Sequence, residues 1–197
     1  YTLALTLPDA DETWARSLCD GLREASLAFG IALAGGDITR GPLTLSLQVH
    51  GTVPEGKAIG RHGAKPGDLV AVSGPLGGAA AALDWLGEES PPASAQGFLA
   101  RYHRPVPRCD LGRRLRSVAS AAIDISDGLV ADLGHVLEAS GVGARLEQDR
   151  IPRTFGAAQA TLEQALYGGD DYELCVTLPP TILQRLPDGV ADELTVI

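Results

Sequence analysis

Residues Ala122-Ile123-Asp124-Ile125-Ser126-Asp127-Gly128-Leu129 constrain this chain more than any other stretch. A short apolar run reaches two acids three residues apart, then a glycine, then a helical pattern. In that pattern Leu129, Leu133, Val136 and Leu137 share one face at i, i+4, i+7 and i+8. Asp124, Ser126 and Asp127 are therefore expected where a strand turns into a helix N-terminus. Backbone N–H groups left over by the first helical turn collect at such a corner and favour anions. Two carboxylates there can also serve as hard oxygen ligands that hold a magnesium ion against a phosphate. The competing use is capping of the helix by Ser126 or Asp127, which needs only one of these side chains.

The rest of the chain bounds what this corner can belong to. At 197 residues there is enough chain for one large or two small domains. The apolar fraction is 45%, and no apolar run has the length of a membrane span. Formal charge is −9 with no basic run, which argues against nucleic acid as the main partner. Cys19, Cys109 and Cys175 are far apart and odd in number, so neither a zinc site nor a disulfide framework is supported, and a reducing cytoplasm is the natural setting. The sequence holds no methionine. It opens inside an alternating strand, Tyr1 to Leu7, and stops inside another, Glu193 to Ile197, so an interior segment of a longer chain is expected.

Taken in order, Tyr1 to Leu7 predicts a strand and Pro8 ends it. Asp9 or Asp11 then caps a helix with Trp14, Leu18, Leu22, Ala25 and Phe29 on one stripe. Ile31 to Ala34 reads as a short strand, Gly35-Gly36-Asp37 as a turn, and Leu43 to Val49 as a half-buried alternating strand. Strand, helix, strand and strand suggest an α/β sandwich. A boundary falls near Val53-Pro54, giving units 1–53 and 54–197. Beyond it the pattern predicts a strand at Leu69–Val72, helices at Ala79–Leu86, Gln96–His103 and Leu111–Val118, and a strand at Gly143–Leu146. A helix at Leu162–Leu166, a strand at Leu174–Leu178 and a last helix from Pro179-Pro180 complete it.

Three turns set glycine beside aspartate: Gly35-Gly36-Asp37, Asp124 to Gly128, and Gly168-Gly169-Asp170-Asp171. Glycine lets a ligand approach the backbone closely. Carboxylates alone would repel a polyphosphate, so they make sense at a phosphate site only with magnesium ions between. Arg40, Arg61 and Lys65 can add direct positive charge. A plain turn is the structural alternative for each piece. There is no GxxxxGK[ST], no GxGxxG, and no spacing that proposes a Ser–His–Asp or Cys–His site.

Four motifs, Gly35-Gly36-Asp37-Ile38-Thr39-Arg40-Gly41-Pro42, Arg61-His62-Gly63-Ala64-Lys65-Pro66-Gly67-Asp68, Ala122 to Leu129, and Gly168-Gly169-Asp170-Asp171-Tyr172-Glu173-Leu174, resemble the thiamine-monophosphate kinases in order and spacing. The resemblance implies a PurM-like α/β (α+β) fold. Residues 1–53 would be the later part of an N-terminal ATP-binding domain that dimerises, and residues 54–197 a C-terminal domain. It implies a homodimer that transfers the γ-phosphate of ATP to thiamine monophosphate with several Mg2+ ions. Gly36, Asp37, Arg61 and Ser126 would contact nucleotide, Asp37, Asp124 and Asp127 would bind metal, and Asp170 and Asp171 would meet the thiamine substrate. Ile38 and Asp170 stand where the family often has threonine and glutamate. The family's N-terminal acidic pair, a further metal aspartate and a C-terminal aromatic would lie outside this segment. Alternatives are another ATP-dependent enzyme of the superfamily, of the selenophosphate or aminoimidazole ribonucleotide synthetase type, or a non-catalytic nucleotide-binding relative.

Overall fold

The computed structural model describes residues 1–9 and 11–197, Gln184 by its backbone alone. The chain packs as two units, Tyr1–Val53 and Pro54–Ile197. No helix of the described residues is long and apolar enough to cross a membrane.

In the first unit β1 (Thr2–Leu7) is followed by α1 (Glu12–Phe29), β2 (Gly35–Arg40) and β3 (Thr44–Gln48). Asp11 caps α1 by accepting the N–H groups of Thr13 and Trp14 at 2.8 and 3.1 Å, satisfying donors the first turn leaves open. Gly30 ends the helix in the left-handed conformation. The sheet order is β2-β1-β3, with β1 parallel to β2 and antiparallel to β3. The parallel pairing across α1 is a β-α-β crossover.

Two expectations are corrected here. Gly35-Gly36-Asp37 is not a turn after a strand; it is the start of β2 itself, with Gly35, Gly36 and Asp37 opposite Thr2, Leu3 and Ala4. A β-carbon on Gly36 would lie 1.9 Å from the Leu3 carbonyl oxygen, so glycine is what lets the two strands close. The alternation from Leu43 to Val49 gives a strand as expected, but not its burial. Leu43, Leu45, Leu47 and Val49 are all exposed.

The second unit holds β4 (Leu69–Val72), α2 (Gly78–Ala82), α3 (Gln96–His103), α4 (Cys109–Leu115) and β5 (Ala121–Asp124). Then follow α5 (Leu129–Ser140), β6 (Thr154–Phe155), β7 (Ala158–Gln159), α6 (Leu162–Tyr167), β8 (Leu174–Leu178) and β9 (Thr195–Val196). Its main sheet is β5-β8-β4-β9, antiparallel throughout. Both faces are covered, which is why its strands read as apolar runs rather than alternating ones. Val70, Val72, Ile123 and Cys175 face Leu129, Leu133 and Val136 of α5 and Ala165 of α6. Ala71, Val176 and Leu178 face Leu111 and Leu115 of α4 and Val190. A satellite core joins α2 and α3 to the β6–β7 hairpin, where the Phe98 and Phe155 rings meet edge to face at 5.3 Å.

Three local differences from the sequence reading remain. The helix expected over Ala79–Leu86 is five residues of α-helix continued by a 3-10 turn, and the helix from Pro180 is 3-10 throughout. Gly143–Leu146 pairs with no strand among the described residues; its Leu146 and the preceding Val142 still pack on the core beside α5.

Candidate functional site

The acid corner forms where β5 leaves the sheet. Asp124 is the last residue of β5 and lies opposite Leu174. Ile125 is fully buried and anchors the turn in the core, while Asp124 and Asp127 stay exposed. Neither Ser126 nor Asp127 caps α5; Gly128, at φ 121, occupies the cap position. The N–H groups of Ser126, Asp127 and Gly128 instead all point to one oxygen of Asp132, at 2.9, 2.9 and 3.1 Å. The corner's anion-binding capacity is thus already taken by a carboxylate of the chain itself. This corrects the expectation that those N–H groups are free for a ligand. Asp132 was missed from sequence, although an acid on the buried stripe of α5 is a signal, since a buried charge requires partners.

The third glycine-acid turn lies against this corner. Asp170 donates its N–H to the Ser126 carbonyl at 2.9 Å, Tyr172 to Ile125 at 2.8 Å, and Ile125 returns one to Glu173 at 2.8 Å. Two glycines make the approach possible. A β-carbon on Gly169 would lie 2.5 Å from the Ser126 oxygen, and one on Gly128 would lie 3.0 Å from the Tyr167 carbonyl carbon. Asp170 and Tyr172 both sit in the left-handed region, at φ 63 and 51, and among the described residues they are the non-glycine ones there. The Tyr172 hydroxyl donates to Asp170 at 2.8 Å. That bond raises the phenol's pKa, burial adds to it, and the charges of Asp170, Asp124 and Asp127 add further. Three carboxylates from two turns therefore share the surroundings of one phenol. None of the three forms an ion pair among the described residues.

The two acids expected to meet substrate part company. Asp170 is exposed. Asp171 is fully buried, and its carboxylate accepts the N–H groups of Gly77, Gly78 and Ala79 at 2.6, 3.1 and 3.4 Å. It thereby closes the N-terminus of α2, a structural task performed away from the surface. Glu173, which the sequence reading did not single out, is also fully buried. It receives Ser73, Arg101 and Arg108.

The other expected residues lie elsewhere. Asp37 is exposed on β2 of the first unit, where one of its oxygens accepts the N–H of Ile38 at 2.8 Å. Gly35 to Ile38 line an open concavity of about 310 Å3 with Leu3 and Leu33. Arg40 reaches back to the Pro8 carbonyl and to Asp9. Arg61 is exposed, and its carbonyl accepts from the Ser140 hydroxyl at 3.3 Å. The preceding residue, Gly60, accepts the Ala122 N–H at 3.1 Å, two residues before Asp124, so the Arg61 backbone runs beside the strand that carries the first corner acid. The second unit therefore brings Asp124, Ser126, Asp127 and Asp170 together at one corner.

No three carboxylate, histidine or cysteine side chains among the described residues converge as a ready-made metal cage. The donors at the corner still suit magnesium. They are hard carboxylate oxygens, exposed and without a counter-charge. Magnesium commonly takes one or two carboxylates and completes its shell with water and phosphate.

Comparison with known proteins places this architecture. Residues 1–53 match the family model for the AIR synthase related protein, N-terminal domain, and residues 65–191 that for the AIR synthase related protein, C-terminal domain. The chain is 46% identical over 186 residues to the thiamine-monophosphate kinase of Salmonella typhimurium, covering 90% of this chain and 57% of that protein. It superposes on the crystal structure of thiamine-monophosphate kinase from Stenotrophomonas maltophilia with a TM-score of 0.90 and 42% identity, over 100% of this chain and 67% of that one. The structure of AaThiL complexed with AMPPCP and TMP follows it with a TM-score of 0.83 and 28% identity, over 100% of this chain and 65% of that one. The chain thus spans a little over half the length of the curated relatives it matches. With both of its units matched in order, it belongs to the family of AIR synthase related proteins.

Proposed function

We propose that this chain is the greater part of a thiamine-monophosphate kinase, which transfers the γ-phosphate of ATP to thiamine monophosphate and yields thiamine diphosphate and ADP. The observation that carries the reading is the backbone-to-backbone packing of two glycine-acid turns, which gathers Asp124, Asp127 and Asp170 around Tyr172. The names of the relatives, and the nucleotide analogue and TMP in one of the matched structures, supply the substrates. Residues 1–53 would be the later part of the N-terminal domain and residues 54–197 the C-terminal domain.

In this reading Asp124 and Asp127 would hold Mg2+, and Asp37, on the first unit, would also be a metal ligand. When bound, the metal neutralises the phosphates of both substrates, which carboxylates alone would repel. Gly36 and Ser126 contact the nucleotide. Arg61 adds charge to a nucleotide phosphate. Asp170, exposed and oriented by the Tyr172 hydroxyl, faces the thiamine substrate. A phosphate oxygen of thiamine monophosphate forms the new bond to the γ-phosphorus as the bond to the β–γ bridging oxygen breaks. That nucleophile is already ionised near neutral pH, so no side chain has to act as a base. The protein's task is alignment and charge placement.

A homodimer fits the row of exposed Leu43, Leu45, Leu47 and Val49 on the first unit, since a contiguous apolar face of this kind favours a protein partner. Three unpaired cysteines fit a reducing cytoplasm. The test is to incubate the full-length protein with ATP, MgCl2 and thiamine monophosphate and to follow thiamine diphosphate. The wild type forms it, and Asp124→Asn lowers the rate by roughly a hundredfold or more at saturating ATP. An Asp124→Asn protein with the wild-type rate would refute the metal assignment.

A further inference from the structure

We propose that Arg101 and Arg108 are positioning residues, which act through the buried carboxylate of Glu173 to hold the Asp170–Tyr172 turn in the form that presents Asp170 to substrate. The inference rests on the function proposed above.

Glu173 is fully buried, and each of its oxygens receives donors from distant parts of the chain. Arg108, at the N-cap of α4, makes a two-pronged contact, Nε to one oxygen and a terminal nitrogen to the other, both at 2.7 Å. Arg101, in the last turn of α3, places one terminal nitrogen on Glu173 at 2.5 Å and on the Asp171 carbonyl at 2.9 Å. Ser73 donates its hydroxyl to Glu173 at 2.5 Å and accepts the Leu174 N–H at 2.8 Å. The backbone is thus fixed immediately before Tyr172, at the Asp171 carbonyl, and two residues after it, at the Leu174 N–H. Tyr172 between them holds φ 51, a conformation that a bulky side chain adopts only when its surroundings impose it.

The site has been built with little slack. A β-carbon on Gly74 would lie 2.6 Å from a Glu173 oxygen, so the residue after Ser73 has no room for a side chain. A buried ion cluster is a weak source of stability compared with apolar packing of the same volume. Its use here is geometric: it fixes two left-handed residues, one of which is the exposed acid at the corner. Released from the clamp, Tyr172 would relax toward an ordinary conformation and carry its hydroxyl away from Asp170.

Two variants of the full-length protein test this. Arg108→Lys keeps the charge and removes the fork; Glu173→Gln keeps the shape and removes the charge. Both are compared with wild type by steady-state kinetics, varying each substrate separately, and by amide hydrogen exchange. The expected result is a roughly ten- to hundredfold lower kcat/KM for thiamine monophosphate with the KM for ATP within about twofold. Exchange at residues 168–174 accelerates while β4 and β5 keep their protection. Folded variants with wild-type kinetics, or with wild-type exchange at 168–174, would overturn the inference. If Glu173→Gln does not fold, Arg108→Lys decides alone, because that side chain is 27% exposed and leaves Glu173 paired to Arg101. A wild-type protein that forms no thiamine diphosphate overturns the proposed function and this inference together. A wild type that turns over beside equally active, folded variants overturns this inference alone.

Discussion

One carboxylate oxygen of Asp132 stands 2.9 Å from the backbone nitrogen of Asp127, five residues earlier, and takes the N–H groups on either side as well. An acid inside the helix thereby shapes the turn before it, and the two exposed acids of that turn inherit their positions. Replacing Asp132 by alanine strands three N–H groups at a buried corner. The expected loss is about 2–4 kcal/mol of stability, read as a fall in thermal midpoint of several degrees. Asp132→Asn, which keeps an acceptor, is expected to lose less.

Asp171 gives a stability that depends on pH. Burial raises its carboxyl from the ordinary 3.8 to about 6, against the N–H groups of Gly77 and Ala79, the charge of Arg101 and the N–H of Gly78. The folded chain therefore holds this proton more tightly than the unfolded chain. The stabilisation is complete below 3.8 and is lost as pH rises through about 6. The change is on the order of 2–3 kcal/mol. Thermal unfolding of wild type and Asp171→Asn across that window is expected to show a shallower decline in the variant.

Gly169 tests the packing of the two turns. With a β-carbon 2.5 Å from the Ser126 oxygen, Gly169→Ala must push the turn off the corner, because the obstructing atom is backbone. A loss of about 1–3 kcal/mol is expected. Turnover with thiamine monophosphate should fall by more than the stability loss accounts for, since Asp170 is the next residue.

Cysteine reactivity should divide by position. Burial pushes the Cys175 thiol up to about 12, with the charge of Asp132 adding to it, whereas Cys19 and Cys109 are exposed. Iodoacetamide at pH 8 is expected to alkylate Cys19 and Cys109 in the folded protein and Cys175 only in denaturant, as mass spectrometry of the digested protein would show.

The sequence by itself determined the elements whose hydrophobic period is carried by near neighbours. The apolar face of α5, the limits of β4, α3 and β8, and the strand-to-helix corner with its two acids were legible, because each depends on side chains a few residues apart. Pairing decided the rest. Gly35-Gly36-Asp37 reads as a turn until β1 lies beside it and demands a residue with no β-carbon opposite Leu3. Asp170 and Asp171 are adjacent and chemically alike, yet one is exposed and the other closes the start of α2, more than ninety residues away in sequence. Glu173 and its two arginines are separated by 72 and 65 residues, so no local pattern announces them. Periodicity is a property of adjacent residues, whereas a buried charge takes its meaning from whatever the fold brings to it, and only the tertiary structure supplies that.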